Sequence, residues 1–308
     1  MTGVRTVFAG TPAFAVPALE ALIASEHRPV AVLTQPDRAA GRGRKVRPGP
    51  IKQRAMDAGI EVLQPASLKA PDSRQRLAEL EPELLITAAY GLLLPRAVLD
   101  LPTHGCWNLH ASLLPRWRGA SPIQQAILAG DRETGISLMQ MDAGLDTGPV
   151  ILQSATPIDQ SENAGALHDR LAGMAAALTV EALDRLVRGE LPAPRAQDEA
   201  LATHAPLIQR ADAELDWRKD AEQLARMVRA YNPWPVAHAE FEGHALRMLS
   251  AKALSGSQKV PPGGRLPDYP GRLVVACGHG ALELLDVQSP GRKVVSARDW
   301  VNAHPSRG

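Results

Sequence analysis

Short apolar runs alternate with helical periods through the first two-thirds of the chain. Runs at Arg5–Ala9, Val30–Thr34, Ile60–Leu63, Leu84–Ala88, Gly105–His110 and Ile136–Met141 each have strand length. Between them Pro17–Ala24, Pro50–Ala58, Ser73–Glu81, Arg96–Leu99 and Pro122–Ala129 carry helical spacing, and a longer helix is predicted from Asn163 to Arg188. In that helix Leu167, Leu171, Met174 and Leu178 form one stripe. Ser121, Pro122 and Gln124 form a capping-box start with proline in the first turn. Strand–helix alternation of this kind predicts a doubly wound, mostly parallel α/β sheet of Rossmann-like type, covered on both faces.

After Gly189 the periodicity stops. Residues 190–207 are rich in Pro, Ala and polar side chains and read as a linker between a domain at 1–189 and another at 208–308. The second domain shows one helix at Asp220–Arg229. Strand-like pieces follow at Val236–Phe241, Leu246–Leu249, Leu273–Ala276 and Leu282–Val287, broken by a Pro/Gly-rich loop. Several short strands in so few residues predict a small β-barrel or sandwich, with an OB-like barrel as the leading form.

Composition narrows the class. With 45% hydrophobic and 22% charged residues and a net charge of +1, the chain is an ordinary globular protein. A nucleic-acid role would therefore have to come from local clustering. Two cysteines in no metal-type spacing argue against a disulfide framework or a cysteine zinc site. The N-terminus lacks a signal-peptide pattern and no apolar run has the length of a membrane span, so a cytoplasmic, membrane-free protein is expected.

The chemistry concentrates at two places. In the strand ending at His110, alternation puts Cys106, Asn108 and His110 on one face, with His110 at the carboxyl end, where open α/β sheets bind ligands. A polar Asn-x-His pair on an apolar strand is costly to bury without a partner or a task. The second place is the turn from Met139 to Gly148, expected to bring Asp142 and Asp146 to the same sheet edge. Taken alone, its Asp and Gly residues are ordinary turn chemistry. Together an amide, an imidazole and a carboxylate suit acyl transfer to an amine: two N–H donors for a tetrahedral oxyanion, and a carboxylate that orients the imidazole. No serine or cysteine stands in register with a base, so a covalent acyl-enzyme is not expected.

The run Asn108-Leu-His110-Ala-Ser-Leu-Leu-Pro115, followed by the Asp142–Gly148 turn, resembles the folate-dependent formyltransferases. It resembles most the branch that formylates methionyl-tRNA. The stretches Phe8–Ala15 (FAGTPAFA), Thr34–Lys45 (TQPDRAAGRGRK), Ala89–Pro95 (AYGLLLP), Leu138–Gly148 and Arg229–Pro235 (RAYNPWP) carry the same resemblance over nearly the whole chain. Ala111 stands where such proteins often have Gly or Pro. The resemblance implies that Asn108, His110 and Asp146 act on the formyl group. It implies 10-formyltetrahydrofolate as donor, held by Ser112, Leu113, Leu114 and Pro115, with Tyr90, Leu92, Leu94, Gln140 and Asp142 lining the pterin slot. The acceptor would be the α-amine of methionine on initiator tRNA, with a role in translation initiation and no metal, obligatory protein partner or membrane.

From Asp37 to Arg54 seven basic residues face one acid. Lys52 and Arg54 read as solvated surface. Arg38, Arg42, Arg44, Lys45 and Arg47 lie in an Arg/Gly-rich loop able to reach phosphates or an opened base pair. The resemblance implies a loop that wedges into the tRNA acceptor end, with Arg42 foremost. In the second domain Arg226, Arg229, Arg247, Lys252 and Lys259 are as compatible with plain surface as with a tRNA backbone. Trp217, Trp234 and Trp300 are expected in cores or interfaces. No GxGxxG or GK[ST] motif supports a dinucleotide or P-loop site. The other readings are a sugar-amine formyltransferase, a hydrolase of the donor and a non-catalytic RNA binder.

Overall fold

The structure, a computed structural model, describes residues 3–37, 39–40, 45–256 and 260–304. Its packing divides the chain into two units. The first comprises Met1–Pro122, Glu133–Thr156 and His168–Ala205; the second comprises Ile123–Arg132, Pro157–Leu167 and Pro206–Gly308.

The first unit is built on seven strands: β1 (Thr6–Gly10), β2 (Ala31–Leu33), β3 (Glu61–Leu63), β4 (Leu84–Ala88), β5 (Cys106–His110), β6 (Glu133–Gln140) and β7 (Val150–Pro157). Their order across the sheet is β7-β6-β5-β4-β1-β2-β3. The winding thus reverses between β1 and β4, which opens a crevice at their carboxyl ends. Pairs β1–β2, β1–β4, β2–β3 and β4–β5 are parallel. The pair β5–β6 is antiparallel, with Trp107 opposite Gln140 and His110 opposite Ser137.

The helices are α1 (Val16–Ala24), α2 (Pro50–Asp57), α3 (Pro71–Ala78), α4 (Arg96–Leu99), α5 (Pro122–Ala129) and α6 (Ala164–Arg188). Proline in the first turn of α1, α2 and α3 lacks the N–H that would have no partner there, and its fixed φ starts the helix. One sheet face carries Val7, Ala9, Leu33, Leu85 and Cys106, packed in a single cluster with Leu77 of α3 and Val98 and Leu99 of α4. Along α6 the buried stripe is Leu167, Leu171, Ala175, Leu178 and Ala182. Met174 of the expected stripe is only half-buried, because the smaller Ala175 takes the inward position.

In the second unit a five-stranded antiparallel half-barrel forms from β8 (Ala237–Phe241), β9 (His244–Leu254), β10 (Leu273–Ala276), β11 (Ala281–Gln288) and β12 (Val295–Ser296). Glu242 and Gly243, both at positive φ (49° and 75°), make the tight β8–β9 turn. Helix α7 (Ala221–Ala230), capped by Asp220, packs Leu224, Met227 and Val228 into one core with Phe241, Met248, Leu282 and Trp300. Trp300 is buried as expected. Trp234 is not: the residue is 51% exposed. A further helix, α8 (Ala297–Ala303), follows β12.

Candidate active site

Strand β5 fixes the first two groups. Thr87 of β4 lies directly beside Asn108, and its hydroxyl donates to Asn108 Oδ1 at 2.7 Å. An ionised carboxylate only accepts, so Asp146 settles which way the amide faces: Nδ2 points to Asp146 Oδ1 at 3.3 Å. Two residues on, the His110 ring is 6% exposed and its Nε2 lies 2.8 Å from the Trp117 carbonyl. A carbonyl only accepts, so Nε2 carries a hydrogen. Nδ1 is the nitrogen left to exchange a proton, and it faces Asp146 Oδ2 at 3.6 Å, beyond hydrogen-bond length.

Asp146 arrives by a route the sequence did not disclose. A parallel strand at 133–140 would end at the carboxyl edge beside His110, as expected above. Because β6 is antiparallel, its end lies instead at the amino end of β5, where the Met141 N–H donates to the Cys106 carbonyl at 2.7 Å. Gln140 and Asp142 therefore stand at the far end of β5 from His110. Asp142 is exposed and spends Oδ1 on the Gly144 N–H (2.9 Å) and the Thr147 hydroxyl (2.7 Å), which is turn-forming chemistry. From there the loop doubles back to place Asp146 against Asn108 and His110.

Asp146 has φ 53°, a left-handed conformation that Asp tolerates better than most residues. Its Oδ2 accepts the Gly119 N–H at 2.9 Å. Gly119 is itself constrained, with φ 121° and room for no Cβ, which would stand 2.6 Å from the Ala205 carbonyl. Arg118–Gly119 pairs in parallel with His204–Ala205, and the Trp117 N–H donates to Thr203 Oγ1 at 2.9 Å. Residues 190–205 are thus not a free connection. Arg195 pairs with Val150, and Gln197 and Glu199 bond to the site loops. Thr87, the Trp117 carbonyl, the Gly119 N–H, Gln197 and Thr203 all shape the centre without any signal in sequence spacing.

The residues expected to hold the donor divide by geometry. Ser112 is fully buried, and its hydroxyl donates to the Arg116 carbonyl at 2.6 Å. Leu114 packs with Met139 and Val150, while its N–H and carbonyl are bonded to Ser137 and Gln153. Leu113 and Pro115 keep partial exposure. Tyr90 is buried in the cluster of β1, β2 and β4, and Leu92, Leu94 and Met141 pack against that cluster while still partly exposed. The Tyr90 carbonyl accepts from Thr11 Oγ1 (2.9 Å) and Gln35 Nε2 (3.0 Å), across the crevice between β1 and β4. Its phenol oxygen is buried with no hydrogen-bond partner among the described residues, and burial raises its pKa above the ordinary value.

Of the basic loop, Arg38, Arg42 and Arg44 lie outside the described residues, as does Lys259. The backbone of Ala39–Ala40 pairs antiparallel with Lys45–Val46, and Arg47 is exposed. Lys52 donates to Asp37 at 2.5 Å and Arg54 to Glu20 at 3.0 Å, so both are engaged in ion pairs. Lys52 holds the Asp37 carboxyl below its usual range. In the second unit Arg226 and Arg229 donate to the carbonyls of Leu128 and Glu162. They line a cavity of about 870 Å³ that also carries Asp131, Asp159 and Glu222, charges of both signs, and none of Asn108, His110 or Asp146.

Residues 4–183 match the formyl transferase family, and residues 207–305 match the formyl transferase C-terminal domain. The methionyl-tRNA formyltransferase of Methylococcus capsulatus is 53% identical over 304 residues, 99% of this chain and 98% of that protein. The N-formyltransferase of Helicobacter canadensis, solved with folinic acid and dTDP-3-aminofucose, superposes with a TM-score of 0.69 at 16% identity. It covers 91% of this chain and 98% of its own. HypX of Aquifex aeolicus, solved with tetrahydrofolic acid, gives a TM-score of 0.62 at 17% identity over 97% of this chain. The chain spans 47% of HypX. The two solved structures share the fold; the family matches and the Methylococcus relative carry the kinship. With these matches running along nearly its full length, and with an amide, an imidazole and a carboxylate brought together, the chain belongs to the formyl transferase family.

Proposed function

We propose that this chain transfers the formyl group of 10-formyltetrahydrofolate to the α-amine of methionine on initiator tRNA, and so serves translation initiation. The observation that carries the chemistry is the convergence of Asn108 Nδ2, His110 Nδ1 and the Asp146 carboxylate. The acceptor rests on the kinship with the Methylococcus enzyme.

The uncharged amine attacks the formyl carbon, the C–N bond forms, and the carbonyl electrons move to oxygen. Asn108 Nδ2 and a protonated His110 Nδ1 donate to that oxyanion, preorganised by Thr87 and the Trp117 carbonyl. Collapse breaks the bond from carbon to the folate nitrogen, which must gain a proton while the attacking amine loses one. Asp146 is the base positioned to accept the amine proton, and His110 Nδ1–H is the acid positioned to return one. Leu92, Leu94 and Met141 offer an apolar wall to a flat heterocycle, and a heteroatom of that ring would satisfy the Tyr90 phenol. Ser112 and Leu114 serve the donor through the shape of their loop. The arginines of the 38–47 loop and the domain at 208–308 hold the tRNA.

The test is transfer from labelled 10-formyltetrahydrofolate with charged initiator tRNA, charged elongator tRNA and a nucleotide-linked sugar amine offered side by side. Formylation of the initiator alone is expected. Label on the sugar amine, or only released formate, would overturn the acceptor.

A further inference from the structure

The carboxylate end of Asp146 is held by Asn108 and Gly119; its main chain is held from elsewhere. Gln197 lies in the Pro/Ala-rich stretch whose composition reads as a linker. Its amide nitrogen donates to the carbonyls of Asp146 at 2.8 Å and Gly148 at 2.7 Å, using both hydrogens. Its amide oxygen accepts from Arg118 Nε at 3.0 Å. Arg118 in turn is only 2% exposed, and its two Nη groups fork onto Glu199 at 2.9 and 2.8 Å. The hydrogen bond to Glu199 raises the Arg118 pKa, and the bond from Arg118 holds Glu199 below the usual carboxylate range. Every donor and acceptor of the Gln197 amide is therefore engaged. On one side it grips the backbone of Asp146; on the other it grips the residue next to Gly119, whose N–H holds the Asp146 carboxylate.

We propose that Gln197 is a positioning residue for the formyl-transfer site, acting through Asp146, with the Arg118–Glu199 pair as its anchor. A left-handed residue on a loop that has left its strand has no ladder to fix it, so an outside brace must set where its carboxylate stands. Two hydrogen bonds from one planar amide fix both the height and the tilt of the 146–148 turn. A shift of the carboxylate by a fraction of an ångström is felt directly at the distances around His110. The proposal rests on the role assigned to Asp146 above.

The test is a double-mutant cycle in single-turnover transfer, with Gln197→Leu and Asp146→Ala made singly and together. Losing both hydrogen bonds should lower the rate about tenfold, the order expected for two bonds of about 0.7 kcal/mol each. KM for donor and tRNA should stay within about twofold, and in the Asp146→Ala background Gln197→Leu should cost nothing more. Gln197→Glu keeps an acceptor for Arg118 while facing two carbonyls with an oxygen; it should lose as much as Leu, and it carries the test if Gln197→Leu does not fold. Additive losses, or a lowered melting temperature with the rate unchanged, would overturn the brace. Near-normal turnover in Asp146→Ala would overturn the reading of Asp146 itself, and the brace with it. An inactive Asp146→Ala beside a fully active Gln197→Leu overturns the brace alone.

Discussion

The two halves of the site are built in opposite ways. Asn108 and His110 sit two residues apart on β5, so the pleat alone puts both on one face at a set spacing. Thr87, one strand over in register, then fixes the amide. Asp146 sits on a loop at positive φ, and its place depends on the Gly119 N–H, on Gln197 and on the pairing of 118–119 with 204–205. The strand half needs its neighbour in the sheet and one carbonyl, that of Trp117, seven residues past His110. The loop half needs residues 27 and 51 positions away, Gly119 and Gln197, so a defect in the bracing segment should reach the chemistry without touching a reacting group.

Substitutions separate the halves, and the largest effect is expected on the strand. Asn108→Ala removes the proposed oxyanion donor and should cost about 3 kcal/mol, or ~100-fold in kcat. A kcat within a few-fold of wild type would remove Asn108 from that role. On the loop side, Gly119→Ala drives a Cβ towards the Ala205 carbonyl in a backbone region closed to alanine, and should cost about 1–3 kcal/mol of stability. Unfolding in denaturant checks this, and an unchanged midpoint would mean that the 118–120 loop shifts freely. Thr87→Val keeps the side-chain shape but frees the Asn108 amide to rotate, so kcat should fall about tenfold with KM unmoved. A matching fall in stability with kcat intact would make Thr87 a core residue only.

The smallest effect concerns pH. Arg118 lowers the Glu199 pKa below its ordinary 4.5, so the pair's contribution is fully present above that value. It is lost as pH falls through the lowered pKa. The Glu199 side chain is 72% exposed, so the contribution is small. The stability difference between wild type and Glu199→Gln should therefore be flat near neutrality and vanish in acid. A difference independent of pH would show that the carboxylate charge plays no part in the anchor.

Most of the sheet was legible because buried parallel strands are continuous apolar runs: the expected 84–88 strand is observed residue for residue, and that at 105–110 to within one. β7 was not, since after Val150 and Ile151 it alternates between half-buried and exposed residues of mixed polarity, as an edge strand does. The Asn-x-His pair could be read from alternation. The direction of β6 could not, because a largely buried strand does not record whether its neighbour runs with it or against it. The same limit hid residues 190–205. Their partners are a few hydrogen bonds to backbone and side chains far away in the chain, which leave no period in the sequence.

The sequence by itself determined the doubly wound α/β class, the appended β domain, the Asn108–His110 pair and the family, because apolar periodicity and residue identity are local properties. Only the tertiary structure decided how Asp146 reaches that pair, which imidazole nitrogen faces it, and that Thr87 and Gln197 support it. Those depend on strand direction and on hydrogen bonds between segments far apart in the chain.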